Sequence, residues 1–125
     1  MVSVNSTNVA VLANNPIPWQ NGNFTHCDKA TSNGTTLTLG KTGLYSIDFD
    51  SSVETAAADP SIALTLFVNG VATQIGAEVA TTAATTPVAA SFNTVIRVCC
   101  VPTNISVVSD SEITTVKAQL KAIHL

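Results

Sequence analysis

Fixed charge is scarce. Asp, Glu, Lys and Arg make up 10% of the 125 residues, against roughly 25% in an average soluble chain. Five basic residues and a net charge of −3 cannot coat a phosphate backbone, so no nucleic-acid partner is expected. The helix-rich mixture of Glu, Lys, Leu and Arg that marks coiled coils is missing as well. Cysteine is limited to Cys27, Cys99 and Cys100. An odd number gives no disulfide framework and fits synthesis in a reducing cytoplasm. An export signal is not visible, because the first 27 residues hold no Lys or Arg and are broken by Asn5, Asn8, Asn14, Asn15, Pro16 and Pro18. The uncharged stretch from Val79 to Ile96 is long enough to cross a bilayer. It carries five Thr and Pro87, so it reads as loop and strand, and no membrane partner is expected.

What is present is small and β-branched. Thr (18), Ala (16), Val (15), Ser (11) and Asn (10) fill 70 of the 125 positions. With 46% hydrophobic residues, the chain is the opposite of a disordered one. Val and Thr at this level favour strands, where branched side chains fit a pleated, half-buried surface. A single domain of 12.9 kDa buries about two-thirds of its unfolded surface. With so little charge, the outside is covered either by Thr, Ser and Asn or by other copies of the chain.

Apolar periodicity is mostly two. Thr35 to Leu39 alternates, and Gly40 to Gly43 turns the chain. In the next run Tyr45, Ile47 and Phe49 share one face, and Ser46, Asp48 and Asp50 share the other. Ala56 to Pro60 reads as a short helical turn stopped by proline. Ile62, Leu64, Leu66 and Val68 alternate up to Asn69-Gly70, a strong hairpin signal, and Val71 to Ile75 returns. Thr81 to Pro87 is turn-like. Val88 to Val101 reads as one long strand, Ile105 to Val108 as another, and Thr114 to Leu125 as the last, with a phase slip near Ala122 that a bulge would explain. Strands between Val2 and Asn23 are poorly signalled. Eight or more strands with no intervening helix point to an all-β antiparallel sandwich.

The run from Val88 is apolar on both faces. Phe92, Ile96, Val98 and Cys100 lie on one side, and Val95, Cys99 and Val101 on the other, with Asn93 and Arg97. An ordinary sandwich strand is apolar on one face only. Burial of both faces requires a partner chain, so the sequence predicts a homo-oligomer.

The segment Gly43-Leu44-Tyr45-Ser46-Ile47-Asp48-Phe49 resembles the Gly-x-Tyr-x-Ile-x-Phe strand of TNF-like jelly rolls. These include the globular heads of complement collagen-like proteins and the C-terminal domains of bacterial collagen-like spore-surface glycoproteins. Leu64-x-Leu66-x-Val68-Asn69-Gly70 is similar to that family's Leu-x-Val-Asn-Gly hairpin. Ala118-x-Leu120-x-Ala122-x-x-Leu125 is similar to its closing strand. The match runs from about Thr35 to Leu125. Pro102-Thr103 replaces the usual Gly-Asp turn, and no collagen-like stem precedes the head. The resemblance implies one jelly-roll domain over residues 1–125, with about ten strands, packed as a homotrimer. Tyr45, Ile47, Phe49, Phe92, Ile96, Val98, Leu120 and Leu125 are the expected core and trimer-interface residues. Residues 1–30 are expected to supply N-terminal strands and a docking segment.

Chemistry is thinly signalled. Phosphate-loop, nucleophile-elbow and zinc-helix motifs are missing, and no enzymatic activity, cofactor or metal is expected. His26-Cys27 and Cys99-Cys100 are candidate metal or redox groups, but adjacent strand residues point to opposite faces, so the cysteines read as small buried hydrophobes. Asp48 and Asp50 on one strand face, with Asp28, Asp59 and Asp110 in loops, suit an intersubunit polar face, with calcium as the alternative. Arg97 is a candidate partner for such a carboxylate across the trimer. Four Asn-x-Ser/Thr matches, at Asn5, Asn23, Asn33 and Asn104, add little in so Asn- and Thr-rich a chain. The function expected is a trimeric structural protein on a particle surface: a phage or virus capsid decoration, head-fibre or spike, or a spore- or cell-surface protein. Pro16, Pro18, Trp19 and Phe24 are the expected docking residues. The alternative is a trimeric head that binds a carbohydrate or protein ligand through the loops Ala56 to Pro60, Thr81 to Pro87 and Ser109 to Glu112.

Overall fold

The computed structural model describes residues 1–24 and 29–125, so His26, Cys27 and Asp28 lie outside the described residues. Ten strands follow in chain order: β1 (Val2–Val11), β2 (Asn21–Phe24), β3 (Thr31–Ser32), β4 (Leu37–Leu39), β5 (Gly43–Glu54), β6 (Asp59–Val68), β7 (Val71–Thr81), β8 (Val88–Val98), β9 (Thr103–Ser109) and β10 (Ile113–His124). They form two five-stranded antiparallel sheets, ordered β2-β1-β10-β5-β8 and β3-β4-β9-β6-β7. This is the jelly-roll sandwich that the motif set implied.

Alternation sets which side of each strand enters the core. Tyr45, Ile47, Phe49 and Val53 of β5 face inward and are buried, as are Ile62, Leu64 and Leu66 of β6 and Leu120 of β10. Each such side chain contributes about 1.5–3 kcal/mol by leaving water. Phe49 stacks on Phe92 across the β5–β8 pair, with ring centroids 5.1 Å apart. Asn69 and Gly70 take φ of 52° and 78°, the two left-handed positions a type I′ hairpin requires. The Asn69 side-chain carbonyl also accepts the Asn104 N–H at 2.9 Å, which ties the hairpin to β9.

Several expectations are corrected. β1 is one ten-residue strand paired on both sides, with β2 and β10. Its signal was weak because Ser3 and Ser6 occupy buried positions. The Ser6 hydroxyl is satisfied there by the Thr115 hydroxyl at 3.1 Å. The bulge in β10 lies between Thr115 and Lys117 rather than near Ala122. Ile113 and Thr115 face the core before it, and Ala118, Leu120 and Ala122 after it. Ile123 is thus outward by ordinary alternation. Ala56 to Ala58 form a loop with no helical turn, and Pro60 lies inside β6. The Thr55 hydroxyl ties that loop by donating to the Ala57 carbonyl at 2.6 Å. β8 stops at Val98, three residues short of the expected end, and the Val101–Pro102 peptide is cis.

Between β1 and β2 the chain crosses the sandwich. The Asn14 N–H donates to the Ser109 carbonyl at 2.7 Å and the Ile17 N–H to the Val107 carbonyl at 2.9 Å. This segment therefore lies beside the end of β9, in line with β4. Gln20 then returns to the first sheet through its N–H to the Asn5 carbonyl at 2.8 Å.

The sandwich has two dissimilar ends. The loop pole gathers the connections 55–58, 82–87 and 110–112. The hairpin pole gathers 40–42, Asn69-Gly70 and 99–102, together with Met1, Phe24 and Leu125.

Candidate functional site

Of the residues expected to form core and interface, Tyr45, Ile47, Phe49, Val98 and Leu120 are fully buried between the sheets. Phe92 and Ile96 are half-buried, and Leu125 is 64% exposed beyond β10. The half-buried pair belongs to a pattern. β7 and β8 are the free edges of the two sheets on the same flank. Their inward residues Ile75, Ala77, Val79, Val88, Phe92 and Ile96 are only partly covered, although inward residues of interior strands reach 0% exposure. The sandwich is therefore open along that flank. Neither strand carries Lys or an internal Pro, and each has one charge, Glu78 or Arg97. Long edge strands without such guards are prone to pair or pack with another chain.

A second unfinished surface is the outer face of the first sheet. Near the hairpin pole, Ile123, Ser46 and Val95 sit side by side on β10, β5 and β8, next to Leu44 and Arg97. Val95 is 55% exposed and Leu44 39%. One row further in, Lys121, Asp48 and Asn93 align, and the Asn93 amide donates to the Asp48 carboxylate. Beyond lies a polar groove of about 730 Å³ lined by Asn5, Thr7, Asn21, Asp50, Lys117 and Gln119. Its amides, hydroxyls and single Lys–Asp combination include no thiol and no imidazole.

His124, the histidine among the described residues, is engaged locally. Its Nε2 lies 2.9 Å from the Thr42 carbonyl, and its ring meets Tyr45 edge-on at 4.9 Å. The Tyr45 hydroxyl donates to the Lys41 carbonyl at 2.9 Å. No three His, Cys, Asp or Glu among the described residues come together as a metal site.

Cys99 and Cys100 are both exposed free thiols, which corrects their reading as small buried hydrophobes. The reason is the early end of β8: both residues lie past its last residue, where strand alternation no longer sends one of them inward.

The docking candidates divide. Trp19 is 7% exposed and belongs to the core beside the fully buried Ile17, and Pro16 and Pro18 are half-buried. Phe24, at the end of β2, keeps an exposed ring. The three loops considered for ligand binding do meet at the loop pole, which carries Glu54, Asp59, Asp110 and Glu112 and no aromatic side chain in 55–58, 82–87 or 110–112.

No family profile matches the sequence, and no curated protein matches it. The globular domain of zebrafish complement 1qA protein superimposes with a TM-score of 0.72, covering 99% of this chain and 95% of that chain at 11% identity. The PRD1 vertex protein P5 superimposes with a TM-score of 0.61, with the same coverage and 14% identity. At such identities the likeness concerns the fold: this chain has the jelly-roll fold found in a complement globular domain and in a vertex protein.

Proposed function

We propose that the protein is a non-enzymatic homotrimeric structural module on a particle surface, of the capsid-decoration, head-fibre or spike kind. The observation that carries the reading is the pair of unfinished surfaces. The open β7–β8 flank and the outer face of the first sheet are different surfaces of one chain. A contact between them is heterologous, and three copies close it into a ring with no surface left over. The likeness to a vertex protein supports a place on a virion, reached by docking after synthesis in a host cytoplasm. A spore or cell surface is the alternative. Ligand capture at the loop pole is less well supported, because its small side chains give a sugar no ring to stack on.

Within this reading Phe24, the docking candidate that keeps an exposed ring, contributes to docking. Deleting residues 1–20 cannot test that, since it removes β1 from the middle of a sheet. Light scattering on the purified chain tests the trimer. Three copies of 12.9 kDa give about 39 kDa, and a mass of one chain overturns the proposal.

A further inference from the structure

Charge and apolar exposure are segregated along the strand axis. Of the seven acids among the described residues, Glu54, Asp59, Glu78, Asp110 and Glu112 lie at or near the loop pole, where Lys117, one row from Glu54, is the nearest cation. The hairpin pole shows the reverse. Lys41 lies in the 40–42 turn, and the Lys29 backbone packs against Gly40 of the same turn. Arg97 and Lys121 approach the same end, where Asp48, opposite Lys121, is the acid nearest to it among the described residues. Seven of the eight large apolar side chains exposed among the described residues also lie toward this end, among them Val71 (68%), Leu125 (64%), Met1 and Val101. Leu12 alone lies at the other. A twelve-residue strand such as β5 separates the poles by about 35 Å, several Debye lengths of roughly 8 Å. A partner at one end therefore feels the charge of that end and little of the net −3.

We infer that the hairpin pole is the docking end of the molecule and that its partner is an acidic protein surface with an apolar centre. The inference rests on the particle-surface reading and specifies its partner. Lys29 and Lys41, at the same end as the exposed apolar groups, match a partner that buries an apolar centre and answers the lysines with carboxylates, which adds steering and register. A lipid surface fits less well. Leu44 and Val95 lie on the sheet face assigned to the trimer, and Val71 and Val101 are short, which leaves Met1, Phe24 and Leu125 for the roughly 5–10 Å of burial that interfacial anchors use. Lys29 and Lys41 lie off the sheet face assigned to the trimer, so the ring leaves them free.

The test uses the full chain and three probes: an immobilised peptide of Glu residues flanking Leu and Phe, phosphatidylcholine vesicles with one quarter phosphatidylserine, and the protein itself at low salt. The peptide is expected to bind, about tenfold more weakly at 0.5 M than at 0.05 M salt. Lys29→Glu and Lys41→Glu, tested separately, are each expected to weaken binding about fivefold or more, and Asp110→Asn with Glu112→Gln to leave it unchanged. Absence of peptide binding, binding to vesicles instead, or low-salt self-association removed by the loop-pole variant each overturns the assignment. Light scattering on the same samples separates the two proposals. Binding by a monomer overturns the trimer and keeps the docking pole, and a trimer that ignores the peptide does the reverse.

Discussion

Val95 offers the sharpest test of the proposed trimer. It points outward from β8, is 55% exposed, and sits opposite Ser46, so a charged residue there leaves the core of a single chain untouched. In a trimer the same position is covered. Losing the remaining apolar burial costs about 1 kcal/mol per interface, and an unpaired charge enclosed there about 3 kcal/mol more. Over three equivalent interfaces the loss is about 12 kcal/mol, or roughly nine orders of magnitude in the assembly constant. Arg97 shares the face two residues away, so an acidic substitution alone is ambiguous. Val95→Glu and Val95→Lys together resolve this, because enclosure penalises either sign whereas a charge pair favours one. Sedimentation velocity with circular dichroism is expected to show both variants as folded single chains at micromolar concentration. A trimeric mass for both refutes the placement of Val95 in the interface. Dissociation of only the lysine variant replaces the burial argument with a pairwise one.

Phe49→Ala is expected to cost about 4 kcal/mol, seen in urea melts as a lower midpoint at unchanged slope, since Phe49 is fully buried and stacked on Phe92. Phe92→Ala, at the open flank, is expected to cost about half as much in the isolated chain, and equal costs contradict the open-flank description. Gly70→Val is expected to lose about 1–2 kcal/mol, because φ is +78° while a Cβ there meets nothing within 4 Å; chemical denaturation measures this, and no loss contradicts the turn geometry. Cys99→Ser and Cys100→Ser are each expected to remove one fast-reacting thiol per folded chain in a colorimetric titration, and an unchanged count refutes their exposure.

Much of the fold is local in origin, and the sequence shows it. Alternation in Leu44 to Phe49 and in Ile62 to Val68 fixes which side chains enter the core, because a strand has a period of two whatever it pairs with. Asn69-Gly70 specifies its turn because few other pairs tolerate two positive φ angles. The errors arose where a local rule meets a non-local one. β1 was hard to see because its buried serines are satisfied by distant partners, Ser6 by Thr115. The bulge in β10 was misplaced because registers with β1 and β5 set it. The cysteines were misread because pairing with β5, which ends at Gly43 opposite Val98, decides where β8 stops.

By itself the sequence determined the class of structure and the inward face of most strands. These follow from side-chain size, branching and spacing along the chain. The second apolar face read for Val88 to Val101 shrinks to Val95, because Cys99 and Val101 lie beyond the end of β8. Only the tertiary structure decided where the sandwich is left open, that Trp19 belongs to the core, and that five of the seven described acids gather at one pole while most basic residues and exposed apolar groups lie toward the other. Charges as far apart in sequence as Glu54 and Glu112, or Lys29 and Arg97, share a pole because antiparallel strands return the chain to the same two ends. A scarcity of charge is legible in composition, whereas its segregation exists only once the strands are paired.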